Sequence, residues 1–166
     1  MQLSLLPLFS LLRPRRSSNS ARQISRDSDP MLLAIWLQVR QDFFPDRPDI
    51  DNVEILWSRR RQKRVLASVS IRQKKVRVAR ELDHPDHHQW LEPLLYHEMC
   101  HAILGENIPV RNRKRQWHGD EFKQLEQRHP QMNAFERWIK QGGWAHAVRS
   151  ARSRTIWIQR RTRQRP

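Results

Sequence analysis

Two histidines and a glutamate in the stretch LLYHEMCHAILG, from Leu94 to Gly105, have the types and spacing of a metal site. His97 and His101 are four residues apart, so on a helix they share one face and can direct two imidazole nitrogens at one ion. Glu98 can take a proton from a water on that ion and deliver it to a leaving amine. The pattern predicts one catalytic Zn²⁺ with His97 and His101 as ligands and Glu98 as the general base.

Several residues after the HExxH motif could supply a third metal ligand. Short HExxH patterns also arise by chance, but this one lies in an apolar run, where a charged Glu98 is costly to bury without a site that uses it. His118 lies seventeen residues after His101 and precedes a glycine that permits an unusual backbone turn. We favour His118 over the carboxylates of Glu121 and Glu126. The other histidines are predicted to be surface or capping residues: His84, His87, His88, His129 and His146.

Helical patterns on both sides of the motif predict the elements that hold it. Asp29 can cap a helix with Pro30 at its first position, and apolar residues then repeat at helical spacing up to Phe43. The motif helix should end at Gly105. Two later helices are expected from inward-facing apolar residues, the first with Phe122 and Leu125, and the second with Met132, Phe135 and Ile139 before Gly142 and Gly143.

Three short segments alternate apolar and polar residues, as β-strands do. They run over residues 53–57, 65–71 and 76–78. We predict a small antiparallel three-stranded sheet whose turns, SRRRQK and RQKK, carry a dense positive charge. Together with the N-terminal helix, the HExxH helix and the helices that follow, the sheet gives an α+β fold.

Composition restricts the partners and the compartment. The 166 residues include 32 Lys and Arg against 17 Asp and Glu, a net charge of +15, which attracts polyanions and favours nucleic acid over an anionic membrane surface. The single cysteine, Cys100, excludes an intrachain disulfide and an all-cysteine zinc cluster and agrees with a reducing compartment. We expect a cytoplasmic monomer without a membrane-spanning segment, associated with the nucleoid if the source is bacterial.

The chain divides into three parts by composition. Residues 1–28 combine an apolar start with a Ser/Arg-rich stretch and are predicted to form a flexible N-terminal arm. Residues 29–146 would form the folded domain. Residues 147–166 would form a basic, arginine-rich C-terminal tail.

The motif HEMCHA, followed by HGDEF, resembles the SprT-like zinc metalloprotease domain, which includes the Spartan and Wss1 proteases that digest proteins crosslinked to DNA. The resemblance extends over roughly residues 30–143. It implies a zincin-like metalloprotease domain with zinc on His97, His101 and His118, and Glu98 as the general base. It also implies protein substrates bound or crosslinked to DNA. Cys100 matches the wording of the motif, and we expect it to pack beneath the metal helix.

Many SprT-like proteins carry a C-terminal zinc ribbon built from paired cysteines, which this chain lacks. Contacts with nucleic acid would therefore come from the basic turns and from the arginines of the C-terminal tail. The predicted nucleic-acid-binding residues are Arg149, Arg152, Arg154, Arg160, Arg161 and Arg163.

The N-terminal peptide QLSLL resembles the short peptide by which bacterial proteins dock on the replication sliding clamp. An apolar start without a partner is the alternative. The peptide consists of Gln2, Leu3, Ser4, Leu5 and Leu6.

Two other functions stay open from the sequence. The first is a basic nucleic-acid-binding or regulatory protein with a structural metal site and no proteolysis. Glu98 argues against it, because a structural site needs no base and closes its fourth position with another protein ligand. The second is a metalloprotease unrelated to DNA whose positive charge serves solubility.

Overall fold

The computed structural model of the chain describes residues 27–105, 110–111 and 114–163. The predicted N-terminal arm, with the peptide from Gln2 to Leu6, lies outside these residues except for its last two. No helix within the described ranges is long and apolar enough to cross a membrane.

The described residues form six α-helices, two short 3-10 helices (Pro48–Asp51 and Arg80–Leu82) and five strands. Helix α1 spans Pro30–Phe43, followed by strands β1 (Glu54–Trp57), β2 (Ala67–Ser70) and β3 (Lys75–Val78). Helix α2 spans Pro85–His88 and helix α3 spans Leu91–Leu104. The remaining elements are strands β4 (Val110–Arg111) and β5 (Lys114–Arg115) and helices α4 (Asp120–Glu126), α5 (Met132–Lys140) and α6 (Gly143–Arg163).

Helix α1 begins and ends as the sequence predicts. The Asp29 carboxylate accepts hydrogen bonds from the backbone N–H groups of Met31 and Leu32, both at 3.1 Å, and Pro30 occupies the first turn, where its missing N–H costs nothing. The apolar face of the helix buries Leu32 and Trp36 together with Val39. This face packs against α3, so α1 supports the motif helix from one side.

The α+β fold class is confirmed, but the sheet is mixed and not antiparallel throughout. The strand order is β1-β3-β2, with β3 antiparallel to β2 and parallel to β1. Only RQKK is therefore a hairpin turn, with Lys74 at φ 49°. The stretch SRRRQK begins the connection from one edge of the sheet to the other. Alternation predicts strands but does not distinguish parallel from antiparallel pairing, because the side-chain period is two in both.

Helix α3 is the central element of the fold. Eight of its residues are buried, and it contacts α1, β2, α4 and α5. Pro93 lies in the first turn, and Gly105 ends the helix with φ 67°, a left-handed backbone angle that suits a residue without Cβ. The histidine motif therefore lies on the most constrained helix of the domain.

The prediction of surface histidines was wrong for His87 and His129. His129 is only 2% exposed: its Nδ1 accepts from the Gln131 N–H and its Nε2 donates to Glu92, at 3.2 Å each. Its ring packs against Tyr96, with centroids 4.9 Å apart. His87 is also buried. Both rings fill gaps between helices that are distant in sequence, which spacing alone cannot reveal. His84, by contrast, caps α2, and His146 is exposed.

Two basic segments contain more regular structure than the sequence suggested: the loop before α4 and the arginine-rich C-terminal segment. Within the predicted basic loop after Gly105, β4 and β5 pair as a short antiparallel ribbon. The arginine-rich C-terminal segment continues helix α6, which crosses the predicted boundary at residue 147 without interruption.

Candidate metal centre

Three imidazole rings meet at one end of α3. The ring centroids of His97 and His101 lie 5.0 Å apart, and that of His118 lies 5.4 Å from His97 and 4.9 Å from His101. One ring nitrogen of each lies within 4.8 Å of the others. Since zinc binds imidazole nitrogen at about 2.0–2.1 Å, small side-chain rotations bring all three onto one ion. The donor set fits zinc, and this group could hold one metal ion.

A carboxylate fixes the orientation of the first ring. The Nδ1–H of His97 donates to Oε1 of Glu126 at 2.6 Å, which leaves Nε2 available to a metal ion. A carboxylate on the outer nitrogen selects the tautomer of a ligand histidine and makes its other nitrogen more basic. Glu126, which the sequence offered as an alternative third ligand, therefore contacts a candidate ligand, His97, through its outer nitrogen. Glu121, the other alternative, is exposed and outside the histidine group.

His118 reaches the group from a turn directly before α4. The turn is closed by a hydrogen bond from the Gly119 N–H to the Gln116 carbonyl at 3.2 Å. The expectation that Gly119 supplies an unusual backbone conformation was wrong. Its φ of −69° and ψ of −174° are extended backbone that any residue adopts, and a Cβ there would make only ordinary contacts.

The Phe122 ring contacts all three imidazole rings. It is 1% exposed, and its ring centroid lies 5.1, 4.4 and 4.8 Å from those of His97, His101 and His118. Because it lies in the first turns of α4, its burial places the start of that helix, and with it His118, beside α3. An apolar support of this kind limits ring motion without competing for the metal.

Desolvation of the ring favours the neutral, metal-binding form of two of these imidazoles, the half-buried His101 and the more exposed His118. Desolvation lowers the pKa of His101 to about 4, and the neighbouring His97 and His118 contribute smaller effects in the same direction. Desolvation also lowers the pKa of His118, again with a contribution from His97. Neutral imidazole is the ligand form, so protons do not compete for these nitrogens at neutral pH.

Glu98 is the one charged residue of the motif that lies inside the protein. It is 5% exposed, and burial raises its pKa from 4.5 to about 7, against smaller opposite effects of His97 and the Val69 backbone. A divalent cation beside the carboxylate would lower that pKa again. Glu98 is therefore buried close to His97, in an environment that is costly for its charged form.

Cys100 packs beneath the site, as expected. It is fully buried, and burial raises the pKa of its thiol to about 12. A thiol in this state is a poor nucleophile and a poor metal ligand. Its role is to fill the core side of α3.

Fold and site together define the class: an α+β domain in which a buried HExxH helix and the turn before the next helix present three histidines that could hold one metal ion. The model of the SprT-like family matches residues 32–141, more than half of the chain, and the chain belongs to this family. The resemblance carried by HEMCHA and HGDEF is confirmed, and membership suggests a metallopeptidase-like domain. No curated protein and no solved structure matches the chain.

The role of Glu126 is testable through metal affinity. Replacing Glu126 by Ala removes the acceptor of the His97 Nδ1–H, so zinc affinity should fall by about 10- to 100-fold. Competition with a chromogenic chelator measures the change. Glu121→Ala, on the exposed side of the same helix, is the matched control and should leave the affinity unchanged. Equal affinities for the two variants would contradict the assignment.

The buried carboxylate predicts an unusual pH dependence of stability in the metal-free protein. Because the pKa of Glu98 rises from 4.5 to about 7 on folding, the folded state binds the extra proton between these pH values, and the contribution of Glu98 to stability falls as pH increases through them, opposite to the contributions of His101 and His118. Glu98→Gln should remove this loss, which is on the order of 3 kcal/mol above pH 7. Urea unfolding at pH 5 and pH 8 measures it. The control Glu121→Gln should show the same pH dependence of the free energy of unfolding as the natural chain. If Glu98→Gln also showed that pH dependence unchanged, the buried, raised-pKa state of Glu98 would be contradicted.

Proposed function

We propose that this protein is a zinc-dependent metallopeptidase that binds DNA and cleaves proteins bound or crosslinked to it. The observation that supports this most directly is the convergence of three histidines beside the buried carboxylate of Glu98, within a domain of the SprT-like family. A structural zinc site closes with a fourth protein ligand, whereas the group found among the described residues has three members.

Each residue of the site has a distinct role in this proposal. His97, His101 and His118 hold the zinc, which when bound supplies Lewis acidity toward a water and a peptide carbonyl. Glu98 accepts the proton of the attacking water and returns it to the leaving amine. Glu126 holds His97 in position. Glu98 is only 5% exposed, and this low exposure strengthens its electrostatic interactions within the site.

Strand β2 offers a surface for an extended substrate. It is an edge of the sheet, since it pairs with β3 alone among the described strands, and it packs against α3. The Val69 backbone lies close enough to Glu98 to influence its pKa. A polypeptide that pairs with β2 through its main chain would therefore pass the site, and main-chain recognition tolerates many sequences. That tolerance suits an enzyme whose substrates share only their attachment to DNA.

Helix α6 supports the DNA-binding part of the proposal. It contains no acidic residue, and Arg149, Arg152 and Arg160 are all exposed. At 3.6 residues per turn their positions fall within an arc of about 80°, so they form one basic stripe. The guanidinium of Arg161 lies 4.6 Å from the ring centre of Trp157, which is 57% exposed. Positive charge beside an exposed aromatic ring is the arrangement that binds single-stranded nucleic acid.

Arg154 has a different environment from the other arginines of α6. It is half-buried and lines a cavity of about 400 Å³ with Glu81 and Asp83. We therefore place it outside the proposed basic stripe.

Glu98→Gln should separate catalysis from metal binding. The variant keeps the shape of the side chain and the three histidines, so it should bind zinc with the same stoichiometry and lose at least about 100-fold in cleavage of a DNA-bound protein. Zinc content and gel-based cleavage rates measure the two properties. Full cleavage by the variant would overturn the role of Glu98. Zinc binding without cleavage in the natural chain would favour the structural-metal alternative.

The basic stripe predicts a specific salt dependence of DNA binding. Replacing Arg149, Arg152 and Arg160 by Gln should reduce the slope of log K against log salt by up to about three, because each phosphate contact contributes about 0.9. Fluorescence anisotropy with single- and double-stranded oligonucleotides measures the slope. A control with Arg47, Arg128 and Arg137 replaced by Gln removes the same charge elsewhere. Equal effects of the two triple variants would show that only net charge matters.

A further inference from the structure

A cavity of about 410 Å³ opens directly beside the metal centre. His97, Glu98 and Glu126 form the wall that it shares with the site, and helix α5 contributes to its lining. Its volume lies within the range of about 300–1,000 Å³ that is typical of ligand pockets. The roles proposed above for the site residues do not use this space.

The cavity is apolar away from the site. Leu94, Met132 and Phe135, which are 3%, 3% and 4% exposed, contribute to its lining, with Ile139 beside them on α5. Two charged groups lie elsewhere on the lining, at its solvent-facing side. Arg64 is exposed to solvent, and Glu136 forms an ion pair with Lys140 at 2.9 Å.

The start of β2 connects the cavity with the path of an extended chain. Leu66 and Ala67 line the cavity, and Ala67 is the first residue of the strand. Two residues further along β2, Val69 approaches Glu98. Because successive side chains of an extended chain point to opposite faces, a polypeptide paired with β2 would direct one side chain toward the cavity while its main chain passes Glu98.

We propose that this cavity binds a large apolar side chain, such as Phe, Leu or Met, next to the peptide bond that the protein cleaves. Met132, Phe135 and Ile139 would then determine specificity. A charged substrate side chain would lose hydration against the apolar wall formed by Leu94, Met132 and Phe135, and a small one would leave that wall exposed to water. The inference rests on the proposed peptidase function and adds a substrate preference to it.

Peptide binding tests the cavity without requiring catalysis. Fluorescent hexapeptides of Gly, Ser and Thr with one central Phe, Leu, Ala or Asp are titrated with zinc-loaded Glu98→Gln protein, and anisotropy gives the affinities. Phe and Leu peptides should bind about tenfold or more tightly than the Ala peptide, and the Asp peptide should bind more weakly still. Equal affinity for Phe and Ala, or no binding of the Phe peptide, would overturn the proposal.

Filling the cavity should abolish the preference. Ile139→Trp, and independently Ala67→Leu, should reduce the Phe-to-Ala ratio toward one, with zinc content and thermal unfolding showing that each variant is folded. Leu37→Trp enlarges an apolar residue of α1 that does not line the cavity and should keep the full ratio. A ratio that persists in both folded filling variants would place the preference elsewhere.

Cleavage by the natural chain then distinguishes this proposal from the broader one. Mass spectrometry of the products should place large apolar residues beside the cut. If peptides bind with the predicted preference but are not cleaved, the cavity assignment stands and the peptidase function fails. If cleavage depends on Glu98 but shows no apolar preference, the peptidase function stands and the cavity assignment fails.

Discussion

The whole site depends on the docking of α4 against α3. Tyr96 donates its hydroxyl proton to the Leu125 carbonyl at 2.6 Å, and the neighbouring His97 donates to Glu126, also at 2.6 Å. Phe122 fills the space between the two helices under the three imidazoles. Without this contact, α3 would still present two histidines, but the third would have no fixed position. Two consecutive residues of α3 thus both hold α4 in place: Tyr96 contacts its Leu125 carbonyl, and His97, a candidate metal ligand, contacts its Glu126 carboxylate.

A second constraint is the balance between burial and charge around Glu98. The apolar run that makes α3 a good core helix also removes water from the carboxylate, and this raises its pKa to about 7. Such a group lowers stability at neutral pH unless a cation compensates it. The same apolar surroundings supply the cavity beside the site. Catalytic environment and substrate preference would therefore share one physical origin, the exclusion of water from one side of α3.

The sequence predicted the features that local rules govern. The Asp29 cap, the Gly105 helix end and the shared face of His97 and His101 each depend on residues within about one helical turn, and the structure has all three. His118 also joins the group, although its place depends on α4 docking. Features set by distant contacts were missed: the parallel pairing of β1, the burial of His87 and His129, and the role of Glu126. A signal for Glu126 did exist, because it follows the inward-facing Phe122 by four residues and so shares its helix face.

In the proposed metal centre, three imidazoles share one zinc ion whose remaining position is free for water and substrate. X-ray absorption at the zinc edge of the loaded protein measures the number and type of these ligands. We expect three nitrogen ligands with imidazole scattering and one light-atom ligand from solvent, all at about 2.0–2.1 Å, and two imidazoles in the His118→Ala variant. A sulfur ligand, four imidazoles, or a spectrum that His118→Ala leaves unchanged would contradict this ligand set.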